Sequence, residues 1–117
     1  MNIEEIRSFC LSLPHATEDV KWKIDLCFCV GEKMFAVVGL EPGPTVGSFK
    51  CTPNKFAELI EREGIVPAPY VARYHWVGLE RFDALGDDEF RELLSKSYEL
   101  VYEKLPKKVR NGLEAEN

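Results

Sequence analysis

Apolar residues near the start of the chain recur at helical spacing, with Ile3, Ile6, Phe9, Cys10 and Leu13 on one face. Asn2 supplies an N-cap, Glu5 reaches back from the third helical position as in a capping box, and Pro14 ends the helix. The pattern then changes. Leu26-Cys27-Phe28-Cys29-Val30, the Gly31-Glu32-Lys33 turn and Met34 to Leu40 predict a β-hairpin. Glu41-Pro42-Gly43-Pro44 forms a loop into a third strand, Thr45 to Cys51, with Lys50 near its end. Thr52 and Pro53 provide an N-cap and a first helical residue. Phe56, Leu59 and Ile60 stripe a second helix that Gly64 stops.

Two prolines in Val66-Pro67-Ala68-Pro69-Tyr70 hold φ near −65° and withhold two backbone donors, so this segment reads as a rigid extended connection. It leads into an aromatic strand predicted over Arg73 to Leu79, which the Arg81-Phe82 region extends or follows with another edge. Asp87 starts the last helix, whose seam of Phe90, Leu93, Leu94, Ser97, Tyr98, Val101 and Leu105 closes at Pro106. The order is α-β-β-β-α-β(-β)-α, an α+β fold of two layers with an antiparallel sheet packed against helices. One domain covers residues 1–112, and 113–117 read as a short frayed tail. Strands 26–30 and 34–40 carry no strongly polar residue on either face, so the helices, a second copy of the chain or a ligand should cover part of the second face.

The 117 residues suit one core, and 45% hydrophobic with 30% charged residues is an ordinary globular balance. The net charge of −5 changes the picture more, because phosphate-directed binding of nucleic acid usually accompanies a basic surplus. Any such contact here needs a local cluster of cations. The N-terminus lacks the apolar stretch of a secretion signal, and no run approaches the roughly 20 apolar residues of a membrane span. A cytoplasmic, reducing location is expected, with Cys10, Cys27, Cys29 and Cys51 as free core thiols.

Cys27 and Cys29 point to one face, but neither His15 nor His75 completes a zinc motif, so no metal or other cofactor is assigned. No nucleophile elbow or phosphate-cradling loop is present, and no catalytic residue is assigned. Acidic pairs such as Glu18-Asp19 and Asp87-Asp88 read first as first-turn charges favoured by a helix dipole. Alternation puts Arg73 and His75 on the outward side of their strand, where Lys33 and Lys50 can join them in a nucleic-acid-binding patch. Lys104, Lys107, Lys108 and Arg110 form a second basic cluster that also complements a helix C-terminus. Trp76 is expected against the helices with its indole N–H bonded, and Tyr70 and Trp76 are the alternative partner-docking residues. Ser97 can bond to the carbonyl four residues earlier, and with Tyr98 can fasten the last helix to the sheet.

Leu13-Pro14, Lys33-x-Phe35, Lys50, Pro67-Ala68-Pro69-Tyr70, Trp76, Ser97-Tyr98 and Leu105-Pro106 occur in an order and spacing that resembles the MmcQ/YjbR family of small bacterial proteins. The resemblance implies a YjbR-like fold related in shape to frataxin, no transferable catalytic residues, and a DNA-binding label inferred largely from shape. It makes weak, phosphate-directed DNA contact the leading expectation. A protein partner or homodimer on the apolar sheet face is the alternative, and an acidic-ridge metal binder is third.

Overall fold

The computed structural model describes residues 1–115. Helix α1 (Ile3–Ser12) precedes strands β1 (Thr17–Lys21), β2 (Asp25–Val30), β3 (Lys33–Gly39) and β4 (Gly47–Lys50). Helix α2 (Pro53–Leu59), strands β5 (Ile65–Pro67) and β6 (Trp76–Leu79), and helices α3 (Asp87–Glu103) and α4 (Lys107–Ala115) follow. All pairings in the sheet are antiparallel, in the order β1-β2-β3-β4-β6-β5. The α+β fold read from the sequence is therefore the one observed.

Local chemistry explains the element starts. The Asn2 side chain accepts from the Glu5 N–H at 2.8 Å while the Glu5 carboxylate accepts from the Asn2 N–H at 3.1 Å, so two otherwise orphaned donors are satisfied. Thr52 accepts from the Lys55 N–H at 3.3 Å, and Pro53 occupies the first turn of α2. Between β2 and β3, Gly31 and Glu32 both have left-handed φ, of 55° and 68°, which matches the twist of a tight hairpin. A Cβ at Gly31 would lie 2.7 Å from Leu105, because this turn packs under the end of α3.

The register puts Leu26, Phe28, Ala36, Val38 and Phe49 on the sheet face that α1 and α3 cover. Phe28, Phe35 and Phe49 are almost wholly buried there, each stabilising the fold by about 2–3 kcal/mol. One polar side chain lies among these residues. The fully buried Ser97 of α3 donates its hydroxyl hydrogen to the Phe35 carbonyl and accepts the Lys50 N–H at 2.9 Å. It thus bridges α3 to β3 and β4, rather than bonding back within its helix. The Tyr98 hydroxyl donates to the Pro14 carbonyl at 2.6 Å and ties α3 to the segment after α1.

Several elements differ from the sequence expectation. Thr17–Lys21 is a strand: it pairs only with β2, and as a polar sheet edge it carries no apolar alternation. Ile65–Pro67, expected as connection, pairs with β6 as the opposite edge, where a terminal proline is tolerated. The strand expected from Arg73 begins only at Trp76, because Ala72–Tyr74 forms a 3-10 turn and His75 is left-handed at φ 65°. The outward alternation of Arg73 and His75 does not hold. Helix α2 stops at Leu59, well before Gly64, whose φ of 84° instead turns the chain into β5. Residues 107–115 form α4, so 113–115 of the expected tail are helical; 116 and 117 lie outside the described residues.

On the second sheet face, Cys27 and Cys29 are buried beside Asp19 and Thr17 of β1, and Thr45 folds over Gly78. Replacing Ser97 by Ala leaves a buried N–H and a buried carbonyl without their partner, and should destabilise the protein by about 2–4 kcal/mol in urea unfolding. Burial raises the thiols of Cys10 to about 12, and of Cys27 and Cys51 to about 11. Reaction of the four cysteines with a disulfide reagent at pH 8 should be slow in the native protein and complete after denaturation; fast native labelling would contradict their burial.

Candidate functional site

Antiparallel pairing brings the start of β3, the end of β4 and the start of β6 together at one end of the sheet, with Lys50 directly opposite Trp76. Helix α3 crosses the sheet and, beyond the Ser97 anchor, projects Leu100, Val101 and Lys104 past these strand ends. The space between is a groove of about 270 Å³ lined by Lys33, Met34, Lys50, Tyr74, Trp76, Leu100, Val101, Lys104, Leu105 and Pro106. Its walls are apolar. Every charged residue in the lining is a lysine, and none of the three pairs with a carboxylate among the described residues.

The Lys50 Nζ donates to the Tyr74 carbonyl at 2.8 Å. Burial, and then the neighbouring Lys104 ammonium, pull the Lys50 ammonium below its ordinary pKa. Two like charges beside a partly desolvated wall make the groove short of an anion. Several cations elsewhere are neutralised: Arg62 bonds both Glu58 and Glu89, Arg7 bonds Glu18, and Arg81 bonds Asp83.

The groove unites residues that the sequence assigned separately. Lys33 and Lys50 came from the strand patch, Lys104 from the terminal cluster and Trp76 from the docking pair. Trp76 is only 8% exposed and forms the groove wall, so it is not a protruding docking residue. Tyr70 is 99% exposed and does not line the groove. Arg73 lies outside the lining, its guanidinium 4.8 Å from the Tyr74 ring centre. His75 is turned away by its left-handed backbone and meets Phe56 of α2 edge-on at 5.6 Å. The expected convergence of Arg73 and His75 with Lys33 and Lys50 is therefore not observed. Lys107 is exposed on α4, Lys108 lines a separate shallow depression with Glu32, and Arg110 is half-buried near Tyr102.

Sequence reasoning missed Tyr74, Met34 and Leu100. Leu100 carried a usable signal, because it is an apolar residue off the buried seam of α3. A second surface feature was also missed. At the opposite end of the sheet, Val20, Trp22, Ile24 and Leu40 are exposed, with Trp22 70% exposed on a turn where it and Lys23 both have positive φ. Leu40 is joined to this hairpin by its N–H to the Ile24 carbonyl at 2.7 Å. No group of three or more His, Cys, Asp or Glu suited to a metal occurs among the described residues, and none of their helices is long and apolar enough to cross a membrane.

Comparison with solved structures shows the same architecture elsewhere. A Deinococcus radiodurans protein, DR2400, described by the family domain DUF419, superposes with a TM-score of 0.85 at 29% identity, covering 97% of this chain and 88% of that one. A Pseudomonas syringae protein superposes with a TM-score of 0.70 at 20% identity, covering 86% of this chain and 99% of that one, and shows the shared fold alone. No functionally curated protein matches in sequence. The YjbR family model matches residues 11–100, a span that holds the whole sheet, the Ser97 bridge and most of the groove. This chain belongs to the YjbR family.

Proposed function

We propose that this domain is a non-enzymatic, cytoplasmic nucleic-acid-binding protein whose phosphate contacts are Lys33, Lys50 and Lys104. The observation that carries this reading is the convergence of three carboxylate-free lysines on one groove of a chain with net charge −5. Ammonium groups are compact point charges suited to phosphate, and among the described helices none presents an extended face of Arg, Asn and Gln for reading base edges in a duplex groove. Binding is accordingly weak and tolerant of sequence, and the acidic remainder of the surface confines it to this locality. Exposed Lys107, which follows Pro106 of the groove lining, adds positive charge beside it.

Fluorescence anisotropy of labelled DNA across a salt series tests this. Three neutralised phosphates give a slope of log K against log salt of about −2.7 on duplex, and Lys104→Glu should lower its magnitude by roughly one. Lys96→Glu, remote from the groove, should change little. No binding at low salt, or equal losses from both variants, would remove the reading. Because burial and the Lys104 ammonium lower the pKa of Lys50, it loses its positive charge sooner on going alkaline than an ordinary lysine does. Affinity should therefore fall as pH rises into the alkaline range, and a Lys50→Arg variant should hold its affinity to higher pH.

A second reading, a protein partner or second subunit, is favoured by the exposed Trp22 hairpin tip. Light scattering of the native protein and of Trp22→Ser tests it. A mass above the monomer that falls to the monomer in the variant is the expected result, and a native monomer at high concentration excludes self-association.

A further inference from the structure

Phosphate recognition accounts for the lysines of the groove and leaves its walls unexplained. Met34, Trp76, Leu100, Val101 and Leu105 present apolar surface between the charges, and a phosphate set against them would lose hydration without gaining hydrogen bonds. A duplex offers this end of the sheet its sugar-phosphate exterior and the base edges of its grooves, but no free base face, because its bases are stacked inside. The walls call for a ligand in which a flat or apolar body is attached to an anion.

We propose that the groove accommodates one unstacked nucleoside monophosphate unit, its base against the apolar wall and its phosphate among Lys33, Lys50 and Lys104. This rests on the nucleic-acid reading above and assigns the ligand of that same site. Size agrees with it, since about 270 Å³ lies just below the usual range of ligand pockets and suits one small unit rather than a run of stacked bases. The aromatic complement agrees as well: Trp76 forms the wall, and the half-exposed Tyr74 stands in the lining with the Arg73 guanidinium against its ring. The lining contains no Asn, Gln, Asp, Glu, Ser or Thr side chain to read a base edge, so the site accepts all four bases with similar affinity. A free mononucleotide and an unpaired residue of a single strand share this chemistry, and the experiment separates them.

The test uses the full chain carrying Trp22→Phe, which leaves Trp76 as the sole indole, and follows its fluorescence. Titrants are dAMP, dTMP, a twelve-residue oligothymidylate, a blunt hairpin duplex, inorganic phosphate and decanoate. The expected result is quenching by both mononucleotides and by the oligothymidylate, with the single strand bound about tenfold more tightly than the blunt duplex, as one stacked base allows. Tight mononucleotides with no further gain for the strand would assign a free nucleotide, whereas a gain would assign a strand. Leu100 lies outside the side chains packed on the core, so Leu100→Phe should fill the groove without unfolding the protein. That variant should lose the single-strand preference and the quenching by mononucleotides. Equal binding of strand and duplex, both unaffected by Leu100→Phe, would overturn this inference while leaving the nucleic-acid reading intact. Quenching by decanoate with no response to any nucleotide or DNA would overturn both.

Discussion

The Ser97 hydroxyl is the constraint on which the rest of this structure depends. It is buried against a sheet, where an unpaired polar group is costly, and it is satisfied only when α3 lies at one height across β3 and β4. A shift of α3 by one turn would break the bond from the Lys50 N–H and the bond to the Phe35 carbonyl together. The apolar seam on either side, Phe90, Leu93 and Leu94 before it and Tyr98 and Val101 after it, supplies most of the adhesion, but adhesion of this kind tolerates sliding. The hydroxyl specifies position.

That position makes the groove. With Ser97 fixed above the end of β4, the next two turns or so, to the cap of α3 at Lys104, overhang the strand ends and set Leu100, Val101 and Lys104 opposite Met34, Lys50 and Trp76. One residue, Lys50, joins the two roles: its backbone N–H holds the helix and its side chain faces the groove. The same arrangement explains the electrostatics. Arg7, Arg62 and Arg81 are engaged with carboxylates elsewhere, while the groove lysines sit at a strand start, a strand end and a helix end in a lining that is otherwise apolar and aromatic. An anion-attracting site on an acidic protein results from this segregation, with no need for an overall basic charge.

How much could be read in advance varied with the kind of signal. The capping box at Asn2 and Glu5, the Gly31 hairpin and the long seam of α3 are local patterns in which period and capping agree, and all three are present. β1 was invisible because an edge strand of Thr, Glu, Asp, Val and Lys is exposed along almost its whole length and owes its conformation to pairing with β2. The strand expected from Arg73 failed at His75, where a left-handed residue ends the 3-10 turn and reverses the side-chain alternation on which the proposed patch relied. Lys107 to Gly112, read as part of a basic stretch after the last helix, are helical.

The residue order by itself determined the α+β class, the hairpin, the long C-terminal helix, the free buried thiols and the family, because each follows from interactions within a short span or from a pattern along the chain. Only tertiary structure decided which lysines meet. Lys33, Lys50 and Lys104 are widely separated in sequence, and their convergence depends on strand order, on the register opposing Lys50 to Trp76, and on the height at which Ser97 docks α3. Those are long-range choices made by packing and hydrogen-bond satisfaction, which leave no period along the chain to be read.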